Sequence, residues 1–126
     1  MLGPAVTVDS DAARVKQVLL NLVINALEAV PAGNGRVTIN VSEQSGLATL
    51  AVQDNGKGID RDGIARVFEP FYTAKKSPNT PGLGLGLSIS HAIIQDLGGR
   101  LTAASPGPDK GSTFTIELPT NQNGTT

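Results

Sequence analysis

No cysteine occurs among the 126 residues, which excludes disulfides and thiolate metal sites. Tryptophan is also missing, and with one Tyr and three Phe the aromatics make up 3% of the chain. Platforms on which bases stack are therefore not expected, and the core must be aliphatic. Charge of either sign is sparse: ten Lys and Arg against eleven Asp and Glu leave a formal net charge of −1. Nucleic-acid binding usually needs a basic surface, so no nucleic-acid partner is expected. No apolar run approaches the roughly 20 residues of a membrane span. The opening Met-Leu-Gly-Pro-Ala-Val lacks the basic and apolar regions of a signal peptide. The expectation is a soluble domain that makes no membrane contact of its own.

What is present suits one domain of ordinary size. Hydrophobic residues are 39% of the chain, and 15 glycines cluster at 56–58, 82–86, 98–99 and 107–111. Clustered glycine marks backbone that turns tightly or approaches something closely. Residues 4–8 read as a short strand, and Asp9 or Ser10 can cap a helix running to about Val30. Alternating apolar residues predict strands at Arg36–Ser42 and Ala48–Gln53, with Gln44-Ser45-Gly46 as the turn between them. A short helix is expected near Asp62–Val67. Residues 72–84 show no periodicity and read as a mobile loop. A helix from about Leu85 to Leu97 stops at Gly98-Gly99. Strands at Arg100–Ser105 and Ser112–Leu118 close the domain, which spans residues 1–119, and residues 120–126 read as a disordered tail. Hairpins with helices between them suggest an α+β two-layer sandwich, a mostly antiparallel sheet covered by helices on one face.

The first helix carries an unusual polar stripe. At about 100° per residue, Arg14, Gln17, Asn21, Asn25 and Glu28 fall within roughly 80° of one another. Apolar residues cover most of the remaining circumference, so the helix is expected to be largely buried. A polar stripe on such a helix is either an exposed face, a buried amide network, or the wall of a wet pocket. Asn carbonyl oxygens suit Mg²⁺, but Asn cannot serve as a general base.

Two further features carry chemistry. Leu50, Val52 and Asp54 share one strand face, so Asp54 points toward the core at the strand's end. There it either closes an Asx-turn or meets a donor such as an adenine amino group, in room left by Gly56 and Gly58. Gly82-Leu83-Gly84-Leu85-Gly86-Leu87-Ser88-Ile89 puts three alternating glycines at a helix start. It is either a hinge or a phosphate loop. It is not a Walker A loop, because no Gly-Lys-Ser/Thr follows, and its spacing is not that of a Rossmann fingerprint. Lys75 and Lys76 lie just upstream.

Taken in order, the Asn-bearing helix, Asp-x-Gly-x-Gly, Phe68-Glu69-Pro70-Phe71 and Gly-x-Gly-x-Gly resemble the ATP-binding catalytic domain of sensor histidine kinases. That family belongs with gyrase, the heat-shock-90 chaperones and the mismatch-repair ATPases. The resemblance covers about residues 5–119. It implies a Bergerat-type fold, an α+β two-layer α/β sandwich whose mostly antiparallel mixed sheet is covered on one face by helices. It implies ATP and Mg²⁺ as cofactors. Asn25 matches the Mg²⁺-ligating asparagine, Asn21 its partner one turn earlier, and Asp54 the acceptor of the adenine amino group. Gly56 and Gly58 match the glycines beside the base, Phe68 and Phe71 the hinge of the ATP lid, and Lys75 a lid residue that contacts phosphates. Gly82, Gly84 and Gly86 match the phosphate loop, and Ser112 a hydroxyl near the adenine. Ile59, Leu83, Leu85 and Leu87 lie beside them in the expected nucleotide site, with Asn25 and Lys75 taken as the catalytic residues.

Asn-Ala-Leu-Glu-Ala and Gly-Leu-Gly-Leu-Gly-Leu-Ser-Ile-Ser look like the nitrogen-regulation and dicarboxylate-sensor branch. The ATPase members of the wider group carry a glutamate where Asn21 stands, so water activation should be poor and a kinase is favoured. The implied reaction is transfer of the γ-phosphate to a histidine in two-component signalling. His91, the only histidine, precedes Ala92 rather than an acidic residue and reads as an ordinary helix residue. The phosphoacceptor is therefore expected on a separate dimerisation domain, with a response regulator downstream. The domain itself is expected to be monomeric and cytoplasmic, in a parent that is anchored in a membrane. Competing readings are an anti-sigma-type serine kinase and a non-catalytic nucleotide-binding module.

Overall fold

The computed structural model describes residues 12–69 and 86–120. The expected strand at 4–8, the cap at Asp9 or Ser10, the loop at 72–84 and the tail at 121–126 lie outside the described residues.

Seven elements follow in chain order: α1 (Ala12–Ala29), β1 (Val37–Gln44), β2 (Leu47–Asp54), α2 (Arg61–Arg66), α3 (Gly86–Asp96), β3 (Arg100–Ala104) and β4 (Ser112–Pro119). The four strands form one sheet in the order β1-β2-β4-β3, every described pair antiparallel. Among the described residues no helix is long and apolar enough to cross a membrane.

Local chemistry sets the ends of these elements. Ser45 and Gly46 both have positive φ, 55° and 80°, so β1 and β2 join through a two-residue turn of the kind that matches strand twist. The strands consequently run further than expected, with Gln44 paired to Leu47. Asp60, in extended backbone, accepts from Gly63 N at 2.7 Å and caps α2. At the end of α3, Gly98 N donates to Gln95 O and Gly99 N to Ile94 O. That bond pair with Gly98 at φ +86° is a Schellman stop. Thr120 is buried and its N–H donates to Gly46 O at 2.9 Å, so Thr120 packs with the domain rather than with the expected tail.

The strand pattern explains the two layers. Ser112, Phe114, Ile116 and Leu118 of β4 are buried, and the residues between them are half-buried. Their partners on β2 are Asp54, Val52, Leu50 and Ala48, all on the same sheet face. Val18, Leu22 and Ala26 of α1 and Ile94 of α3 join this face in the core. Val23, Leu19 and Val15 pack against it.

The first helix is less buried than its composition suggests. Leu20 and Leu27 are 60% and 58% exposed, and Ile24 is also exposed. The reason is architectural: α1 lies on one side of a single sheet, so only one flank meets the core, and the described chain supplies no second layer over the opposite flank.

Candidate functional site

The site is built from the ends of strands. Asp54 and Ser112 face each other across β2 and β4, at the one end where the buried sheet face turns polar. Asp54 is 5% exposed. Its Oδ1 accepts from Gly56 N at 2.8 Å, and its Oδ2 accepts from the Ser112 hydroxyl at 3.0 Å. The first of these bonds is the Asx-turn that Asp-Asn-Gly allows. A carboxylate has about four acceptor positions, so two such bonds are compatible with a further donor. The turn therefore leaves acceptor capacity on the same side chain.

The loop after Asp54 is tied on three sides. Lys57 N donates to Ala29 O at the end of α1. Asn55 Oδ1 accepts from Arg36 N at 2.7 Å, and its Nδ2 donates to Asn34 O at 3.0 Å. Gly111 N donates to Gly56 O and Asp109 N to Lys57 O, joining the loop to the β3–β4 hairpin. The glycines serve these close approaches rather than leaving open room. A Cβ on Gly56 would lie 2.3 Å from Ala29 O, and one on Gly58, at φ +68°, 2.2 Å from Gly107 O.

At its other end α1 meets α3. Asn21 Nδ2 donates to Ser90 Oγ at 3.0 Å, and Ser90 is buried. A Cβ on Gly86 would touch the Asn21 amide at 3.0 Å. Arg14 pairs with Asp96 at 2.6 Å, so the two helices run antiparallel. The N-terminus of α3 thus opens beside the stretch of α1 that carries Asn21 and Asn25. A helix N-terminus is the positive end of the helix dipole, which favours an anion there. From Ala29, beside Gly56, back to Asn21 is eight residues, about 12 Å along the helix axis. One polar stripe therefore links the Asp54 end to the start of α3.

The remaining expected site residues divide. Asn25 is half-buried on the stripe. Phe68, Ile59 and Leu87 pack their side chains against the core. Phe68 stacks on His91 with centroids 4.7 Å apart and meets Phe114 edge-on at 6.3 Å. Phe71, Lys75, Gly82, Leu83, Gly84 and Leu85 lie outside the described residues. Sequence reasoning missed Asn55, Ser90 and Ser105. Asp54 ends β2, Ser112 opens β4 and Ser105 directly follows β3, so the three lie level at one end of the sheet, but that becomes visible only once β4 is known to lie between β2 and β3.

Over residues 10–122 the chain matches the family described as histidine kinase-, DNA gyrase B-, and HSP90-like ATPase. The chain belongs to that family. It is similar to the sensor histidine kinase ZraS of Escherichia coli (strain K12), 40% identical over 118 residues that are 94% of this chain and 24% of that protein. It is 43% identical over 106 residues to the C4-dicarboxylate transport sensor protein DctB of Rhizobium meliloti (strain 1021), covering 83% of this chain and 16% of that one. Among solved structures, full-length ShkA in complex with AMPPNP is similar at a TM-score of 0.79 and 31% identity, over 93% of this chain and 24% of that one. The chain thus spans about a quarter of the length of ZraS. It is a catalytic ATPase domain of the histidine kinase kind, and its α+β fold is the family's.

Proposed function

We propose that this domain binds Mg-ATP along the polar stripe of α1 and passes the γ-phosphate to a histidine on a separate dimerisation and phosphoacceptor domain of a parent sensor kinase. The observation that carries this reading is the continuity of the stripe. A buried carboxylate with spare acceptor capacity stands near the Ala29 end, and the N-terminus of α3 stands beside Asn21, about 12 Å back along the α1 axis from Ala29.

Each residue then has a role. Asp54 accepts from the adenine amino group, held in aim by Gly56 N and the Ser112 hydroxyl. The Asn25 amide oxygen would hold Mg²⁺, an ion that takes few protein ligands, and the ion would supply charge neutralisation at the phosphates. Asn21 holds the start of α3 against α1 through Ser90 and Gly86, so the phosphate end is pre-positioned. Lys75, with Gly82 and Gly84, supplies further phosphate contacts. An imidazole nitrogen of the acceptor bonds to the γ-phosphorus as the bond to the bridging oxygen of ADP breaks. Phosphoryl transfer needs alignment and charge neutralisation more than side-chain chemistry. With Asn21 where a general base would stand, attack by water is slow. The reaction belongs in the cytoplasm, with a response regulator as the next phosphate acceptor.

The test is phosphate transfer from labelled ATP to the parent kinase's histidine-bearing domain, supplied as a separate chain. Acid-labile label on that domain is expected. Acid-stable label on serine of a partner, or no transfer despite ATP binding, would replace this reading with the serine-kinase or the non-catalytic one.

A further inference from the structure

The loop carrying Gly56, Gly58 and Ile59 is fastened to the β3–β4 hairpin, and a single hydroxyl sits at their junction. We infer that Ser105 is a positioning residue for the adenine side of the site, an inference that rests on the nucleotide reading above. Ser105 directly follows β3, and the register that pairs Ala104 with Thr113 sets it level with Ser112. Its Oγ accepts from Ile59 N at 3.0 Å and from Gly107 N at 3.2 Å. It lies 2.6 Å from Gly111 O and 3.2 Å from Gly107 O, so its proton goes to the nearer carbonyl of Gly111. A serine hydroxyl has one donor and two acceptor positions, and all three are engaged.

Those partners bracket the Asp54–Ser112 pair. Gly111 immediately precedes Ser112, and Ile59 ends the Asp54-Asn55-Gly56-Lys57-Gly58 loop. One side chain therefore fixes the distance between the backbone that presents Ser112 and the backbone that leaves Asp54. The neighbouring bonds, Gly111 N to Gly56 O at 3.1 Å and Asp109 N to Lys57 O at 2.7 Å, run between the same two segments and depend on that spacing. The Ser105 hydroxyl does not need to touch the ligand to act. It orients the two walls between which the adenine ring would lie, at the end of α1 remote from the phosphates.

The test separates the two ends of the ligand. A fluorescent ATP analogue bound to the 126-residue chain is displaced by ATP, ADP and tripolyphosphate in turn. In Ser105→Ala, ATP and ADP are expected to weaken by about tenfold, the scale of a lost hydrogen bond that leaves a partner unpaired. Tripolyphosphate is expected to bind unchanged, and Ser105→Thr, which keeps the hydroxyl, to restore most of the loss. Equal weakening of all three ligands, or of none, overturns the inference. Should the Ala variant fail to fold, amide hydrogen exchange in the unmodified chain decides. The Ile59 amide is expected to be protected without nucleotide, and rapid exchange there overturns the inference. Failure of the unmodified chain to bind ATP counts against the nucleotide reading instead, because the Ile59 measurement needs no ligand.

Discussion

The Ser112 hydroxyl donates to Asp54 Oδ2 at 3.0 Å from the position directly opposite on the neighbouring strand. Along β2 and β4 the pair is the last row of a face whose other rows, Val52–Phe114, Leu50–Ile116 and Ala48–Leu118, are apolar. A buried carboxylate is costly unless donors meet it, and this one is met from its own loop by Gly56 and from the next strand by Ser112. Removing one donor should therefore cost both stability and aim. Ser112→Ala is expected to lower stability by about 1 kcal/mol and to weaken ATP binding. Asp54→Ala should cost more, about 1–3 kcal/mol, because it strands a buried N–H and a buried hydroxyl. Chemical denaturation of both variants checks the order.

The two glycines that sit at similar dihedral angles should respond differently to substitution. Gly33 (φ +88°) has nothing within 4 Å of a built Cβ, whereas Gly58 (φ +68°) has Gly107 O at 2.2 Å. Gly33→Ala carries only the left-handed penalty, about 1–2 kcal/mol. Gly58→Ala adds a backbone collision that must push the β3–β4 hairpin away, so it should melt well below Gly33→Ala and lose nucleotide affinity as well. Equal melting temperatures would show that the loop and the hairpin are not locked together.

Two polar links between α1 and α3, Arg14–Asp96 and Asn21–Ser90, are not of equal weight. Arg14–Asp96 is the shorter, at 2.6 Å, but its side chains are 37% and 69% exposed. Exposed pairs contribute little, about 0–1 kcal/mol, and are screened by salt. Asn21–Ser90 is longer, at 3.0 Å, and ends on a buried hydroxyl. Ser90→Ala leaves the Asn21 amide without that partner and is expected to cost about 1 kcal/mol at any salt concentration. Asp96→Asn should cost less, and its effect should vanish in high salt. Denaturation at low and high salt distinguishes them.

The four strands from Val37 onward, the turn at Ser45-Gly46, the stop at Gly98-Gly99 and the inward-facing Asp54 were legible, because each depends on local periodicity or turn chemistry. The exposure of Leu20, Ile24 and Leu27 was not. Helical periodicity reports which residues are apolar, but whether both flanks of a helix are covered depends on how many layers the fold stacks, which no local pattern records. Gly56 and Gly58 were legible as glycines that something approaches. Their neighbours turned out to be Ala29 and Gly107, parts of the chain 27 and 49 residues away in sequence. Ser105 was hidden for the same reason: its partners Ile59 and Gly111 come together only through the β2-β4-β3 strand order. Asn21 was singled out from its place on the polar stripe, but its bond to Ser90 depends on the antiparallel packing of α1 and α3.

Titration of ATP by calorimetry, with and without Mg²⁺, into the unmodified chain and Asp54→Asn tests the central claim most directly. Asn keeps the shape of Asp and can still accept from Gly56 N through Oδ1, but it puts an amide donor in place of Oδ2. The fold should survive, while a second donor from the adenine ring would meet N–H instead of oxygen. ATP is expected to bind the unmodified chain, more tightly with Mg²⁺, and to lose at least about tenfold, or 1.4 kcal/mol, in Asp54→Asn. Equal affinity in the two proteins, or no binding by the unmodified chain at millimolar ATP, would contradict that claim.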